Sequence, residues 1–440
     1  MRFMAADVAR ATGGDLVGQN AHLAGLAFDS RVIRPGQLFV PIIAERDGHD
    51  YIDDALQAGA GAYLTSRPTQ GRTAIVVPDT LGALLQLGTW ARNKLNSQLA
   101  NRVIAITGSV GKTSTKDFIA AALGSQFRVS ASERSFNNDQ GLPTTILNAR
   151  DDVECLVLEM GMRGFGEIRR LCEIARPVIG VVTCVAEAHT ERVGGIDGVA
   201  RAKSELPESL DASGSAVLCA DDDRVLAMSK HTQASVVTYG ESIDADVRIE
   251  SWQMNDQGLA TVQLKTPWGK CEYVLGVPGR HMALNAAAAI AVAGVLGADI
   301  QIAASALESA SMSPMRMQML RLTNGALVLN DAYNANPISM RAALMTLGEI
   351  SARRRIAVLG LMAELACPQE QHLLIAALAR EQAIDLIAID TPLYGIPSRT
   401  IDEALARLGG LGDGDVVVVK GSRVAQLERL VERLVGHLDN

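Results

Sequence analysis

The sequence predicts an α/β protein of three domains, each built on its own sheet. Three observations predict it. At 440 residues the chain is too long for one hydrophobic core. Short apolar runs alternate with helical stretches, the pattern of parallel strands covered on both faces. One of those runs leads through a glycine turn straight into a helix, where doubly wound sheets bind ligands. The expected units are a small N-terminal α/β unit over residues 1–80, a central parallel-sheet unit over 81–313, and a C-terminal Rossmann-like unit over 314–440.

In the first unit, residues 38–43 and 74–78 read as strands, the second stopped by Pro78, and residues 51–59 read as a helix. A helix over about 80–95 leads into the central unit. That unit opens with a strand at 102–107, a helix from about 113 to 123, and buried strands at 155–159 and 178–183. Residues 235–275 are richer in strand, and an alanine-rich helix over about 285–296 closes the unit. The third unit has strands at 327–330, 355–359, 386–389 and 416–419, with helices such as 372–383 and 401–408 between them.

The glycine turn carries the clearest chemistry. Thr107, Gly108, Ser109, Val110, Gly111, Lys112, Thr113 and Ser114 run from a strand into a helix. Backbone N–H groups at a helix start converge on phosphate oxygens, and glycines let the backbone come close. Lys112 would reach the outer phosphates and Thr113 would offer its hydroxyl to Mg²⁺. The general phosphate-loop pattern has a glycine where this chain has Ile106, so it is the strand and helix around the turn that decide the reading. An ordinary strand-to-helix turn would leave the Lys-Thr pair unexplained.

Other polar groups sit at strand ends. Glu159 closes an apolar strand, and His189 lies just past the next one. Lys203 falls on a helix, where the plain reading is a solvated lysine. Asn137 and Asn138 lie in a turn-forming stretch that reads as a loop. Asp331, Tyr333, Asn334 and Asn336 follow a strand of the third unit. Asn336 with Pro337 also fits a helix N-cap followed by proline at the first helical position. Lys420 and Ser422 follow the last strand of that unit.

Composition narrows the partners. Net charge is 41 − 49 = −8, which argues against nucleic acid or an anionic membrane as a main partner. The alanine-rich stretch 283–300 contains Asn285 and reads as a buried helix, not a membrane span. Six cysteines, far apart and without a CxxC pair, read as free buried thiols in a reducing compartment. The N-terminal residues lack an apolar signal core, so a cytoplasmic protein is expected; a monomer is expected as well.

Taken together and in order, these residues resemble the Mur ligase family over nearly the whole chain. The resemblance implies an ATP-dependent, amide-forming ligase, and within the family the branch that joins UDP-N-acetylmuramoyl-tripeptide to D-alanyl-D-alanine. It implies ATP contacts at Gly108, Ser109, Gly111, Lys112, Thr113, Ser114, His281, Asn285, Arg316 and Asp331. Mg²⁺ ligands are implied at Thr113, Glu159, His189 and a carbamylated Lys203, with Lys112, Glu159, His189 and Lys203 serving the chemistry. Substrate contacts are implied at Ser30, Arg31, Asp47, Gly48 and His49 for the uridine nucleotide, and at Asn137, Asn138, Tyr333, Asn334, Asn336, Lys420 and Ser422. Three positions depart from the family pattern: Met282 stands in place of Asn, Met315 in place of Gly, and Leu361 where an acidic residue is common. A ligase with another acceptor or amine, and a non-catalytic nucleotide-binding module, stay open as alternatives.

Overall fold

Apolar strand runs alternating with helices give three large sheets and one two-stranded sheet among the described residues. The computed structural model describes residues 1–69, 71–133, 136–186, 193–255, 258–363 and 365–436. The first sheet contains β2 (Asp15–Val17), β4 (Leu26–Ala27), β5 (Leu38–Phe39), β6 (Ala62–Thr65) and β7 (Ala74–Val76), in the order β2-β7-β6-β5-β4. Only β2 runs antiparallel to its neighbour. A separate antiparallel pair, β1 (Arg2–Met4) and β3 (His22–Ala24), lies beside it.

The central sheet has nine strands: β8 (Val103–Thr107), β9 (Val129–Ala131), β10 (Cys155–Glu159), β11 (Ile179–Val182), β12 (Ser215–Cys219), β13 (Ser235–Gly240), β14 (Val247–Met254), β15 (Ala260–Thr266) and β16 (Gly269–Leu275). They are ordered β9-β10-β8-β11-β12-β13-β14-β15-β16, parallel from β9 through β14 and antiparallel beyond. β8 sits between β10 and β11, so the chain leaves it toward opposite sides of the sheet. That is the topological switch point where a crevice opens beyond the strand ends. The third sheet runs β17 (Gln318–Arg321), β18 (Leu327–Asn330), β22 (Asp415–Lys420), β19 (Arg354–Leu359), β20 (Asp385–Ile389) and β21 (Ser398–Arg399), with only β17 antiparallel.

Several boundaries differ from the sequence reading, each for a local reason. The strand expected at 38–43 is only Leu38–Phe39, because Pro41 cannot donate to a ladder. The helix expected at 51–59 begins as a 3-10 turn, Gly48–Tyr51, and continues as Ile52–Gln57. The closing helix starts earlier than expected, as Arg280–Val295, which puts His281 and Asn285 one turn apart on it. Its buried alanines let it lie close along the helix Lys112–Gly124. The cysteines are free as expected, but Cys367 is exposed and Cys184 partly so, which corrects the all-buried reading. Among the described residues no helix is long and apolar enough to cross a membrane.

The first and second units are joined by a side chain acting as a strand. Asn148 Oδ1 accepts from Leu26 N at 2.8 Å, and Asn148 Nδ2 donates to Leu26 O at 2.9 Å. Gly25 has φ of +77°, and a Cβ there would lie 2.3 Å from Asn148 Oδ1, so glycine is required beside this seam.

Candidate active site

The phosphate loop is fixed by its neighbours before any ligand arrives. Ser109 N donates to Cys184 O at 2.8 Å, and the Ser109 hydroxyl exchanges bonds with Ala186 at 2.9 and 3.0 Å. Thr183 Oγ1 donates to Val110 O at 2.5 Å. Gly108 has φ of +149°, and a Cβ there would overlap Thr183 Oγ1. At Gly111 (φ +85°) a Cβ would lie 2.7 Å from Asn285 Oδ1. Both glycines are therefore demanded by close approach as well as by conformation.

The Lys112 ammonium donates to Gly108 O at 2.7 Å and Ser109 O at 3.4 Å. Burial lowers its pKa, while Glu159 pulls the other way. Thr113 Oγ1 donates to Glu159 Oε2 at 2.8 Å, and Asn137 Nδ2 donates to Glu159 Oε1, also at 2.8 Å. Glu159 N donates to Ser132 Oγ at 3.1 Å. Glu159 is 1% exposed, and its buried carboxylate is held by two donors while its backbone N–H is held by a third partner. Gly161 packs on Asn137, where a Cβ would sit 2.9 Å from the amide. Asn138 Oδ1 instead accepts from Gln140 N and Gly141 N, at 3.2 and 2.9 Å, and so fixes the turn that leads into the helix Gly141–Leu147.

Lys203 is buried at 4% exposure and makes no hydrogen bond or ion pair among the described residues. Burial, then the nearby Lys112 charge, pushes its pKa down to about 7. The solvated-lysine reading of this position is thereby corrected. Lys112, Lys203, Asn137, Asn138 and Gly108 share one cavity of about 390 Å³. His189 lies outside the described residues.

Thr115 Oγ1 donates to Asn285 Oδ1 at 3.2 Å, and Asn285 Nδ2 reaches Met282 Sδ at 3.8 Å. The Met282 departure thus keeps a weak acceptor beside Asn285. His281 is neutral, with burial lowering its pKa to about 4. Ser114 is buried at the start of the phosphate-loop helix.

The third unit brings its strand-end groups to the same side. Lys420 Nζ donates to Asp331 Oδ2 at 2.5 Å and to Asn334 O at 2.9 Å. The Ser422 hydroxyl accepts from Ala363 N at 2.8 Å and donates to Ala335 O at 3.3 Å. Asn336 is a capping residue: its Oδ1 accepts from Ser339 N at 2.9 Å, with Pro337 at the first helical position. Arg316 crosses to the central unit, donating to Thr113 Oγ1 at 3.4 Å, with its guanidinium 4.2 Å from the Tyr333 ring centre.

In the first unit the expected uridine residues divide. Asp29 caps its turn and pairs with Arg31 at 2.7 Å, beside a cavity of about 650 Å³ between the first and second units. Phe28, Asp29, Arg34, Phe136 and Arg150 are among its lining residues. Asp47 and His49 form an internal knot instead. His49 is 3% exposed, its Nδ1 lies 2.6 Å from Asp47 Oδ1, and its Nε2 accepts from Ser66 N at 3.1 Å. Gly48 fits tightly there, since a Cβ would lie 2.5 Å from Ile42 N. Sequence reasoning missed Thr183 and Ser132, whose hydroxyls hold the loop and Glu159; single threonines and serines near strands carry no signal of their own.

A strand, a glycine turn, a helix and a carboxylate on the adjacent strand define the class: a doubly wound α/β protein with a phosphate loop. The chain belongs to the Mur ligase family, since the family's middle-domain model matches residues 106–293 and its glutamate ligase domain model matches 315–423, and curated members align over nearly its full length. The UDP-N-acetylmuramoyl-tripeptide--D-alanyl-D-alanine ligase of Mycobacterium tuberculosis is 38% identical, covering 93% of this chain and 91% of its own. The Escherichia coli enzyme of that name is 34% identical, covering 96% of each. The MurF structure from Acinetobacter baumannii superposes with a TM-score of 0.87 at 28% identity, covering 99% of both chains. MurF ligase from Thermotoga maritima in complex with ADP gives 0.80 at 26% identity, covering 94% of this chain and 98% of its own.

Proposed function

We propose that this chain is an ATP-dependent ligase that joins UDP-N-acetylmuramoyl-tripeptide to D-alanyl-D-alanine in peptidoglycan precursor synthesis. One observation carries the chemistry: Lys112 and Lys203 open into the same cavity as Asn137, which holds Glu159. Near-full-length likeness to ligases of that name supports the substrate pair.

A carboxylate oxygen of the tripeptide attacks the γ-phosphorus of ATP and expels ADP. The amine of the dipeptide then attacks the acyl carbon, expels phosphate and gives up a proton. Lys112 and the loop N–H groups spread the charge that develops on the transferred phosphoryl group. The Thr113–Glu159 oxygen pair is a donor set suited to Mg²⁺, a hard cation that would neutralise phosphate charge there. Lys203 fits carbamylation: a buried amine with pKa near 7 has a free lone pair at neutral pH and can add to CO₂, losing a proton. The product is an anionic oxygen donor where an ammonium would repel a cation.

In the same reading the first unit holds the UDP-sugar, with Asp29 and Val32, which flank Ser30 and Arg31 in the chain, lining the 650 Å³ cavity and residues 47–49 shaping the unit from within. Asn334, Lys420 and Ser422 serve the incoming dipeptide, and Asp331, which Lys420 Nζ holds, serves the ATP. In this reading the enzyme works as a cytoplasmic monomer. Phosphate release tests the whole reading. It should require ATP, the UDP-tripeptide and D-alanyl-D-alanine together. Release that ignores the dipeptide, or that follows another amine across a small panel, would overturn the assignment.

A further inference from the structure

The segment that enters the third unit is both strained and gripped. Met315 has φ of +60° and Met317 φ of +48°, in the left-handed region that side chains other than glycine and asparagine avoid. Arg316 lies between them. Strain of this kind persists only where the surroundings enforce it.

The surroundings are visible. On the phosphate-loop helix, Asp117 takes hold of Ser313, accepting from its N–H at 2.7 Å and its hydroxyl at 3.2 Å. The Asp117 side chain is 9% exposed and paired with Lys116 at 3.0 Å. Lys116 Nζ in turn donates to Ser132 O at 2.7 Å, and Ser132 Oγ holds Glu159 N. Beyond the turn, Met317 N donates to Asp331 Oδ1 at 3.1 Å. Between these two grips Arg316 reaches back to Thr113, four positions before Asp117 on the same helix. The segment therefore runs antiparallel along that helix, fixed at Ser313 and presenting Arg316 to the phosphate-loop threonine. Arg316 Nε is buried without a partner among the described residues, so the turn holds this guanidinium in place at a cost in both backbone strain and hydrogen bonding.

We propose that Asp117 is a positioning residue: its grip on Ser313 holds the strained turn so that Arg316 meets the nucleotide end of Thr113. Asp117 touches no reacting atom and acts only through Arg316. The inference rests on the ligase reading for its activity readout, but nucleotide affinity tests it separately.

The experiment is a double-mutant cycle on the full-length chain, read on both ATP affinity and kcat/KM for ATP. Arg316→Ala alone should lose about tenfold or more in each. Asp117→Ala alone should lose a similar factor, and Asp117→Asn, which still accepts from Ser313 N, should recover most of it. In the Arg316→Ala background, Asp117→Ala should cost less than about twofold more. Ser313→Ala removes one bond without touching the buried Lys116–Asp117 pair, so it carries the same cycle if Asp117→Ala does not fold; about threefold is expected. Losses that multiply across the cycle, or an Asp117→Ala chain with unchanged ATP affinity, would overturn the proposal. A wild-type chain that binds ATP but releases no phosphate would count against the ligase reading, while the affinity cycle still decides this one.

Discussion

Two buried lysines at the ends of strands or the helices after them are treated in opposite ways. Lys420, 1% exposed, sits on the Asp331 carboxylate. Lys203, 4% exposed, has no anionic partner among the described residues. Burial lowers the pKa of both, but at Lys420 Asp331 opposes the shift, whereas at Lys203 the Lys112 charge adds to it. A buried cation needs a counter-charge or it sheds its proton. The third unit supplies the counter-charge. The central unit withholds it and leaves an amine whose pKa is lowered to about 7.

The sharpest break in that comparison is to remove one partner of the neutralised pair. Lys420→Met should strand the Asp331 carboxylate and destabilise the chain by about 3–5 kcal/mol, read as a lower denaturant midpoint. A midpoint matching wild type would mean that the pair is not held together in solution.

Next in size, Lys112→Ala should leave the fold intact and cost at least ~2.7 kcal/mol at the transition state, about a hundredfold in turnover. Near-normal turnover would remove Lys112 from the chemistry.

Lys203→Ala should likewise be nearly inactive, but a short-chain carboxylic acid should restore part of the rate by returning the missing oxygens. The wild-type enzyme should also depend on CO₂ in a way that follows pH. Above about 7 the Lys203 amine is neutral and can be carbamylated; below it the ammonium dominates and has no lone pair to give. Activity in CO₂-limited buffer should fall as pH drops through 7 and recover with added bicarbonate. A pH profile indifferent to bicarbonate would equate the two lysines after all.

The smallest effect belongs to a residue that is structural on either account. Asn336→Ala should cost about 1 kcal/mol of stability through loss of the helix cap. If the same variant also raised KM for the dipeptide, Asn336 would serve the substrate as well.

Much of this site is legible in the sequence because it depends on local order. The turn from Thr107 to Thr113 carries its own strand, glycines and helix, and Asn336-Pro337 announces a cap from two adjacent residues. Lys203 is legible only through the family resemblance: on its helix it reads as solvated, and its desolvation comes from packing against distant segments. Asp117 is not legible at all, because its partner Ser313 lies 196 positions away. Fold boundaries failed where a single proline or a glycine-led helix start outweighed apolar pattern, as at Pro41 and Gly279. The antiparallel edge strand β17 escaped because its residues are only partly buried and offer no clean alternation.

The Asn148 seam bears on how such enzymes can be recombined. The first unit looks like an exchangeable module, yet the partner for its strand at Leu26 is written 122 positions later in another unit. A graft that moves residues 1–80 alone would leave the Leu26 amide and carbonyl facing whatever side chain the host carries at that place. Successful chimaeras must therefore transplant Asn148 and Gly25 as a matched pair, and the true unit of inheritance at this border is discontinuous in sequence.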